Sequence, residues 1–339
     1  MYLNGNKSDC FVYGCGQIFK RHYLNRLTPI FKNLHFIDPI LKSKSAQDEI
    51  KNLIVSLTGQ QNLTFSTNNR TYQHTENDCV FIFTNHRSHF PLLKKSKKSK
   101  LIFVEKPCVL TKENWKRINT DIANEQYFWP AYHQFYTNLS NQLNALNLVN
   151  VENVRSIRIL FYASHLPLRS WGASYTSTRL ASGGAFLDLG PHIFSILSLL
   201  CKDIEQLPIE YTDVKFSYDS KMSELETSGF AKAKLGEISL EIDFGYIDDN
   251  HNPVRSFELV TRCGKILSLD NEIIQWNKSL LSPSFEVSCT LAYKNMLEDS
   301  LKHKRPWYFK KIGWNIESIE KLYKFYGKTT LSDDESESY

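Results

Sequence analysis

The residues of this chain whose types and spacing suit chemistry fall in four short stretches. Gly14-Cys15-Gly16 follows an apolar run and precedes a helical one. At such a turn, backbone without Cβ lets a pyrophosphate approach the helix N-terminus. Asp38 lies 22 residues after Gly16 at the end of the next apolar run, where a carboxylate can bind a ribose hydroxyl pair. A glycine pair there also serves plain turn geometry, and spacing alone leaves both readings open. Three residues after Gly16 stands Phe19, where a dinucleotide turn ordinarily has Gly or Ala, and the exchange costs close packing of helix on strand. No Arg directly follows Asp38, so an adenosine 2′-phosphate would meet repulsion; NAD is favoured, with NADP left open.

Two further stretches sit directly after apolar runs: Thr84-Asn85-His86-Arg87-Ser88-His89 and Val104-Glu105-Lys106-Pro107. If the runs are parallel strands, these residues lie at the sheet edge where open α/β folds bind ligands. Pro107 holds Lys106 extended. A buried lysine there would lose proton affinity and act as a proton donor or electrostatic anchor; an ordinary loop lysine is the other reading. The fourth stretch is Gly183-Gly184-Ala185-Phe186-Leu187-Asp188-Leu189-Gly190-Pro191-His192. Asp188 and His192, four apart, share a helix face, and a carboxylate beside an imidazole fixes its tautomer and raises its basicity. A capping Asp with a satisfied core His would read the same way, and Pro191 argues against a regular helix unless it lies near the first turn.

The elements that must position these residues follow from periodicity. Cys10 to Tyr13, Leu34 to Ile37, Cys79 to Thr84 and Leu101 to Val104 read as short apolar strands. Ile18 to Leu27, Lys42 to Gly59, His89 to Lys95 and Thr111 to Asn124 read as helical stretches between and after them. This alternation predicts a mostly parallel, doubly wound sheet. Val154 to Tyr162, Thr212 to Tyr218, Gly229 to Lys234, Ile238 to Phe244 and Phe257 to Thr261 read as longer alternating strands, with Leu235-Gly236-Glu237 as a hairpin connection. Phe186 to Leu200 reads as a helix on one face of that second sheet; Tyr293 to Leu301 and Ile316 to Tyr326 read as late helices. The expected division is a first domain over 1–125, a second over 126–328 and a disordered acidic tail over 329–339.

Composition sets the class. At 339 residues the chain exceeds the usual size of one core, so two domains are expected. Hydrophobic content of 42% against 23% charged residues is that of a folded globular protein. The net charge is +5, and Asp333, Asp334, Glu335 and Glu337 lie in the tail, so residues 1–330 carry about +9. A basic body suits an anionic ligand. Apart from the run Lys94 to Lys100 the basic residues are scattered, and no nucleic-acid motif accompanies them, so no nucleic-acid partner is expected. The seven cysteines are odd in number and widely spaced with no C-x-x-C pair, which predicts neither disulfide framework nor metal site. Met1 to Asp9 lacks an apolar signal core and no stretch approaches the roughly 18 apolar residues of a membrane span. A cytoplasmic protein with no membrane partner is the expectation.

In order and spacing, Gly14-Cys15-Gly16, the Thr84-Asn85 to His89 segment, Glu105-Lys106-Pro107 and the Gly183-Gly184 to His192 segment resemble the Gfo/Idh/MocA family of glucose-fructose oxidoreductase and inositol dehydrogenase. The resemblance covers nearly the whole chain, and its last two motifs together are specific. It implies an N-terminal Rossmann dinucleotide-binding domain plus a C-terminal α/β domain with a large, mostly antiparallel open sheet that often forms oligomer contacts. It implies that Lys106, Asp188 and His192 are catalytic, that Gly14, Gly16, Gln17, Ile18 and Asp38 hold the cofactor, and that Thr84, Asn85, His89 and Glu105 line its nicotinamide end. Tyr132, His133 and Tyr136, then His165, Arg169 and Trp171, lie where members often contact substrate; ordinary packing aromatics would read alike. Phe19 departs from the family pattern, as does Ser195, which stands where many members carry a further Asp. The implied function is NAD(P)-dependent hydride transfer on a secondary alcohol or ketone of a sugar or nucleotide-sugar. A free polyol dehydrogenase and a non-catalytic dinucleotide sensor are the alternatives, and a homo-oligomer through the second sheet is implied.

Overall fold

A strand covered on both faces must be apolar throughout, and the first part of the chain supplies several such runs. The computed structural model describes residues 8–58, 62–68, 72–122, 126–137, 149–164, 184–218, 226–247, 251–271, 273–282 and 289–327. Strands β1 (Asp9–Tyr13), β2 (Asn33–Ile37), β3 (Asn62–Ser66), β4 (Cys79–Ile82), β5 (Leu101–Glu105) and β6 (Tyr127–Ala131) form one sheet in the order β3-β2-β1-β4-β5-β6. Every neighbouring pair is parallel. The order reverses between β1 and β4, so the ends of these strands make the switch point at which doubly wound sheets bind ligands. The residues of β4 and β5 are all buried, which is why they read so clearly as unbroken apolar runs.

Residues 17–27 are helical, with a π-helical turn, Phe19–Tyr23, after the first two, continued by α1 (Leu24–Leu27). Phe19 is buried, its ring 5.7 Å from Phe36 and 5.6 Å from Phe83. Helices α2 (Lys44–Thr58), α3 (His89–Lys95) and α4 (Lys112–Asp121) follow. Thr111 caps α4, its Oγ1 accepting the Asn114 N–H at 3.1 Å, a position threonine favours.

The chain divides into two compact units. One holds the residues up to Ala131 together with Tyr293–Phe309; the other holds Tyr132–Ala292 and Lys310–Leu331. This differs from a boundary at 125 for a physical reason. β6 extends the parallel sheet, and because Pro130 lacks an N–H it suits an edge strand. The later segment covers that edge: Phe128 N–H donates to Lys304 O at 2.9 Å and Tyr308 OH to Pro130 O at 2.8 Å.

The second unit is built on an eight-stranded sheet of β7 (Val154–Ser164), β8 (Ile209–Tyr218), β9 (Glu226–Leu235), β10 (Ile238–Ile247), β11 (Val254–Thr261), β12 (Ile266–Asp270), β13 (Ile273–Trp276) and β14 (Ser279–Ser282). Its order is β14-β13-β12-β11-β7-β10-β9-β8. All pairs are antiparallel except β7 with β10. Gly236 turns the β9–β10 hairpin at φ 57°. Helix α5 (Ala185–Leu200) packs on the sheet through Phe186 against Phe244, ring centroids 4.6 Å apart. After α6 (Cys289–Ser300), helix α7 (Phe309–Phe325) closes over α5, with Trp314 edge-on to Phe194 at 5.3 Å. The expected acidic tail lies outside the described residues. Among those described, no helix is long and apolar enough to cross a membrane.

Candidate functional site

In the first unit the glycine turn joins three strand ends. Gly14 has φ +87°, and a Cβ there would lie 2.7 Å from the Phe83 carbonyl carbon and 2.8 Å from the Thr84 nitrogen. Only glycine permits that approach. Its N–H donates to Ile37 O at 3.0 Å. Gly16 is the opposite case: it is exposed, and an added Cβ would meet nothing within 4 Å. The amides of Gln17 and Ile18 open the helical segment, where first-turn N–H groups have no intrahelical acceptor. Asp38 accepts the Cys15 N–H on Oδ2 at 2.7 Å and the Ile40 N–H on Oδ1 at 2.9 Å. The half-buried carboxylate thus fastens the turn to the end of β2, and a carboxylate has acceptor sites beyond two. An open backbone cradle beside a carboxylate at the switch point fits a dinucleotide.

Thr84 and Asn85 follow β4, and Glu105 ends β5 with Lys106 directly after it; Thr84, Asn85 and Glu105 bond within the unit. Asn85 Oδ1 accepts the Ser88 N–H at 3.1 Å and the Ser88 Oγ at 2.7 Å, capping the 3-10 turn His86–Ser88. Thr84 Oγ1 donates to Asn85 O at 3.4 Å. His89 is fully buried, with Nδ1 2.8 Å from Pro107 O and Nε2 3.1 Å from Thr84 O. Burial pulls its pKa down to about 4, so at neutral pH the ring is uncharged and donates to one of these carbonyls. Glu105 is 7% exposed; one carboxylate oxygen accepts the Tyr23 hydroxyl at 2.7 Å and the other the Lys106 N–H at 3.1 Å. Burial, with Glu105 beside it, drives the Tyr23 phenol well above its ordinary pKa. The side chains of His89 and Glu105, expected to line the nicotinamide end, make these bonds within the unit. They brace the backbone on either side of Lys106, itself half-buried before a cis peptide bond to Pro107.

The second unit carries the other two predicted residues. Along α5 every residue is buried except Asp188 and His192, which stand one turn apart. Asp188 Oδ2 accepts the Tyr246 hydroxyl from β10 at 2.8 Å. His192 Nδ1 lies 3.3 Å from Gln134 Nε2, and its ring is 4.9 Å from that of His133 and stacked 6.4 Å from Phe161. Pro191 does lie inside the helix; its carbonyl accepts from Ser195 Oγ at 2.6 Å and from Asn315 Nδ2 at 3.0 Å. Ser195, 1% exposed, serves helix packing.

The start of α5 is locked from outside. Gly184 has φ +102°, and a Cβ there would come within 2.0 Å of Glu226 Oε1. The buried Glu226 carboxylate accepts the Tyr323 hydroxyl, whose oxygen accepts the Leu187 N–H at 3.0 Å. A carboxylate at a helix N-terminus also complements the helix dipole.

Tyr132 and His133, expected at the substrate, are 2% and 7% exposed. Arg169 and Trp171, with His165 and Gly183, lie outside the described residues. Lys106 belongs to the first unit, Asp188 and His192 to the second. Tyr23, Gln134, Glu226, Tyr246 and Tyr323 carried no motif; the partners named above lie 58 to 136 residues away. Among the described residues, no cluster of His, Cys, Asp and Glu could hold a metal ion.

No protein-family model matches the chain, and no curated protein matches it in sequence. Its fold is that of several solved structures. KijD10, a 3-ketoreductase from Actinomadura kijaniata solved with NADP and TDP-benzene, is similar over 94% of this chain and 98% of its own, at 12% identity and TM-score 0.67. A scyllo-inositol dehydrogenase from Lactobacillus casei, solved with NAD(H) and scyllo-inositol, is similar over 95% and 98%, at 15% identity and TM-score 0.69. GenD2 of gentamicin A biosynthesis, solved with NAD, is similar over 96% and 95%, at 13% identity and TM-score 0.69. The fold is thus the one that the motif resemblance implies: a parallel six-stranded unit and a second, largely antiparallel one.

Proposed function

We propose that the chain is an NAD(P)-dependent oxidoreductase that interconverts a secondary alcohol and a ketone on a sugar or nucleotide-sugar, with NAD preferred. The observation that carries this reading is the pair Asp188 and His192, the only two residues of an otherwise buried helix that keep exposed surface. Half-buried on an apolar helix, the carboxylate and the imidazole each have a hydrogen-bonding partner, Tyr246 and Gln134, which orients them. Bound nicotinamide would supply or accept the hydride. In oxidation His192 removes the hydroxyl proton, Lys106 stabilises the developing oxyanion, and Asp188, held by Tyr246, orients the reacting groups; reduction reverses these steps. The backbone of Gly14, Gly16, Gln17 and Ile18 holds the pyrophosphate and Asp38 the ribose.

The ligands of the solved relatives, TDP-benzene in one and scyllo-inositol in another, mark out two substrate classes. The basic body of this chain supports the anionic one, and free polyol is the second reading. We place the protein in the cytoplasm as a homo-oligomer. The sheet face away from α5 supports association: half-buried Leu160 and Phe230 flank Asp243 in register there. Light scattering showing a strict monomer would remove that part. The test of function is the absorbance of reduced nicotinamide with a panel of nucleotide-sugars and polyols. Turnover is expected with one class, abolished by Lys106→Ala and by His192→Ala while dinucleotide binding persists. Unchanged rates in both variants would refute the assignment, and binding of UDP or dTDP alone separates the two substrate classes.

A further inference from the structure

Gln134 sits in the 3-10 turn His133–Tyr136 and is 5% exposed. Its amide nitrogen is 3.3 Å from His192 Nδ1 and 3.3 Å from His133 Nε2. One NH₂ group has two hydrogens, so it can donate to both rings at once. Both facing nitrogens must then be bare. If the amide turns by half a revolution, its oxygen faces the rings, and it accepts from both only if both carry protons. A mixed state leaves a buried N–H against an N–H, or a lone pair against a carbonyl, and so loses one of the two hydrogen bonds.

Resting on the function proposed above, we infer that Gln134 is a positioning residue that sets the tautomer of His192 and ties it to that of His133. With Nδ1 given over to Gln134, proton exchange with a substrate runs through Nε2. Amide nitrogen inward puts the neutral ring's proton on Nε2, a donor suited to a ketone oxygen. Amide oxygen inward puts it on Nδ1 and leaves Nε2 an acceptor suited to a hydroxyl proton. In passing between the two, one proton leaves the ring to solvent and another is taken up, and charge is unchanged. His133, within a buried turn, follows the same choice and raises the penalty for an intermediate orientation. Asp188 acts from its own position on α5, bonded to Tyr246.

The test needs neither substrate nor turnover, so it stands or falls apart from the enzymatic reading. Long-range ¹H–¹⁵N spectra of the full chain labelled in histidine, at a pH where both rings are neutral, report which nitrogen of each ring carries the proton. Assignment uses His133→Phe and His192→Phe. The expected result is a matched pair: His192 Nδ1 and His133 Nε2 both protonated or both bare. Gln134→Leu should unlock the match, and Gln134→Glu, an acceptor on both oxygens, should protonate both facing nitrogens. A mismatched wild-type pair overturns the inference, as do unchanged tautomers in Gln134→Leu. If the leucine variant does not fold, a bare His192 Nδ1 in Gln134→Glu overturns it equally.

Discussion

Gly16 and Gly14, two residues apart, should respond oppositely to the same added methyl group, and the contrast isolates the cofactor cradle from the fold. Gly16 has an ordinary backbone conformation and open space where a Cβ would go. Gly16→Ala should leave the fold intact or stabilise it by about 0.4–1 kcal/mol, through the lower entropy of the unfolded chain. If a pyrophosphate occupies that space, the methyl collides with the ligand alone, and dinucleotide affinity should fall at least about tenfold, ~1.4 kcal/mol. Gly14→Ala pays twice within the protein. The left-handed conformation costs about 1–2 kcal/mol. Contacts of 2.7–2.8 Å with the backbone of Phe83 and Thr84 must be relieved by moving a buried strand end, on the order of 1–3 kcal/mol more. Urea unfolding gives the stability of each variant, and calorimetric titration with NAD gives its affinity. Wild-type NAD affinity retained in a folded Gly16→Ala protein would refute the placement of the pyrophosphate at this turn.

Three further outcomes follow from the packing. The neutral native state of His89, whose pKa is lowered from 6.5 to about 4, binds fewer protons than the unfolded chain between those values. Its contribution to stability is therefore whole above pH 6.5 and lost as pH falls towards 4, by up to about 1.4 kcal/mol per pH unit. In His89→Gln the slope of urea stability against pH should be shallower across that window, and equal slopes would disprove the assignment. Tyr323→Phe removes the hydroxyl shared by Glu226 and the Leu187 N–H, and should cost about 1–3 kcal/mol. Paired with Glu226→Gln, it should cost less than the sum of the single changes because the two groups share one bond; strict additivity in urea melts would count against the lock. Phe19→Ala restores a small residue where dinucleotide turns ordinarily have one, yet it empties a buried site between Phe36 and Phe83 and should destabilise the protein by about 3–5 kcal/mol. A neutral or stabilising result would show that the aromatic packing is incidental.

Phe19 also marks the boundary between what local pattern reveals and what it hides. Judged against a fingerprint, an aromatic at that position is a defect of helix-on-strand packing. In the fold it is matched by two other large rings and by a π-helical turn that opens the helix start. The fingerprint registers only the missing small residue, because the compensating partners come from β2 and from the end of β4. Strands were legible where both faces are buried, as in β4 and β5. β3 was not, because Asn62–Ser66 alternates in exposure at the sheet edge, and β6 was not, because Pro130 interrupts its pattern. β12, β13 and β14 were missed as well; their four- and five-residue lengths give period-two alternation too few repeats to register.

The same distinction applies to the candidate site. A helix brings residues four apart onto one face whatever else the protein does, so the Asp188–His192 pair could be read from spacing, and these two are the helix's only residues that are not fully buried. What holds the pair in place is tertiary. Tyr246 reaches Asp188 from a strand, Gln134 reaches His192 from a turn, and Glu226 with Tyr323 fixes the helix start. None of these lies at a helical or strand period from its partner. His89 and Glu105 show the converse: each was legible as a polar residue at or shortly after a strand end, and burial adds bracing bonds that position alone did not indicate. Both act on the segment that presents Lys106, through the Pro107 carbonyl and the Lys106 N–H. Substitutions at such bracing residues should therefore disturb the geometry of Lys106 without removing a group that touches substrate.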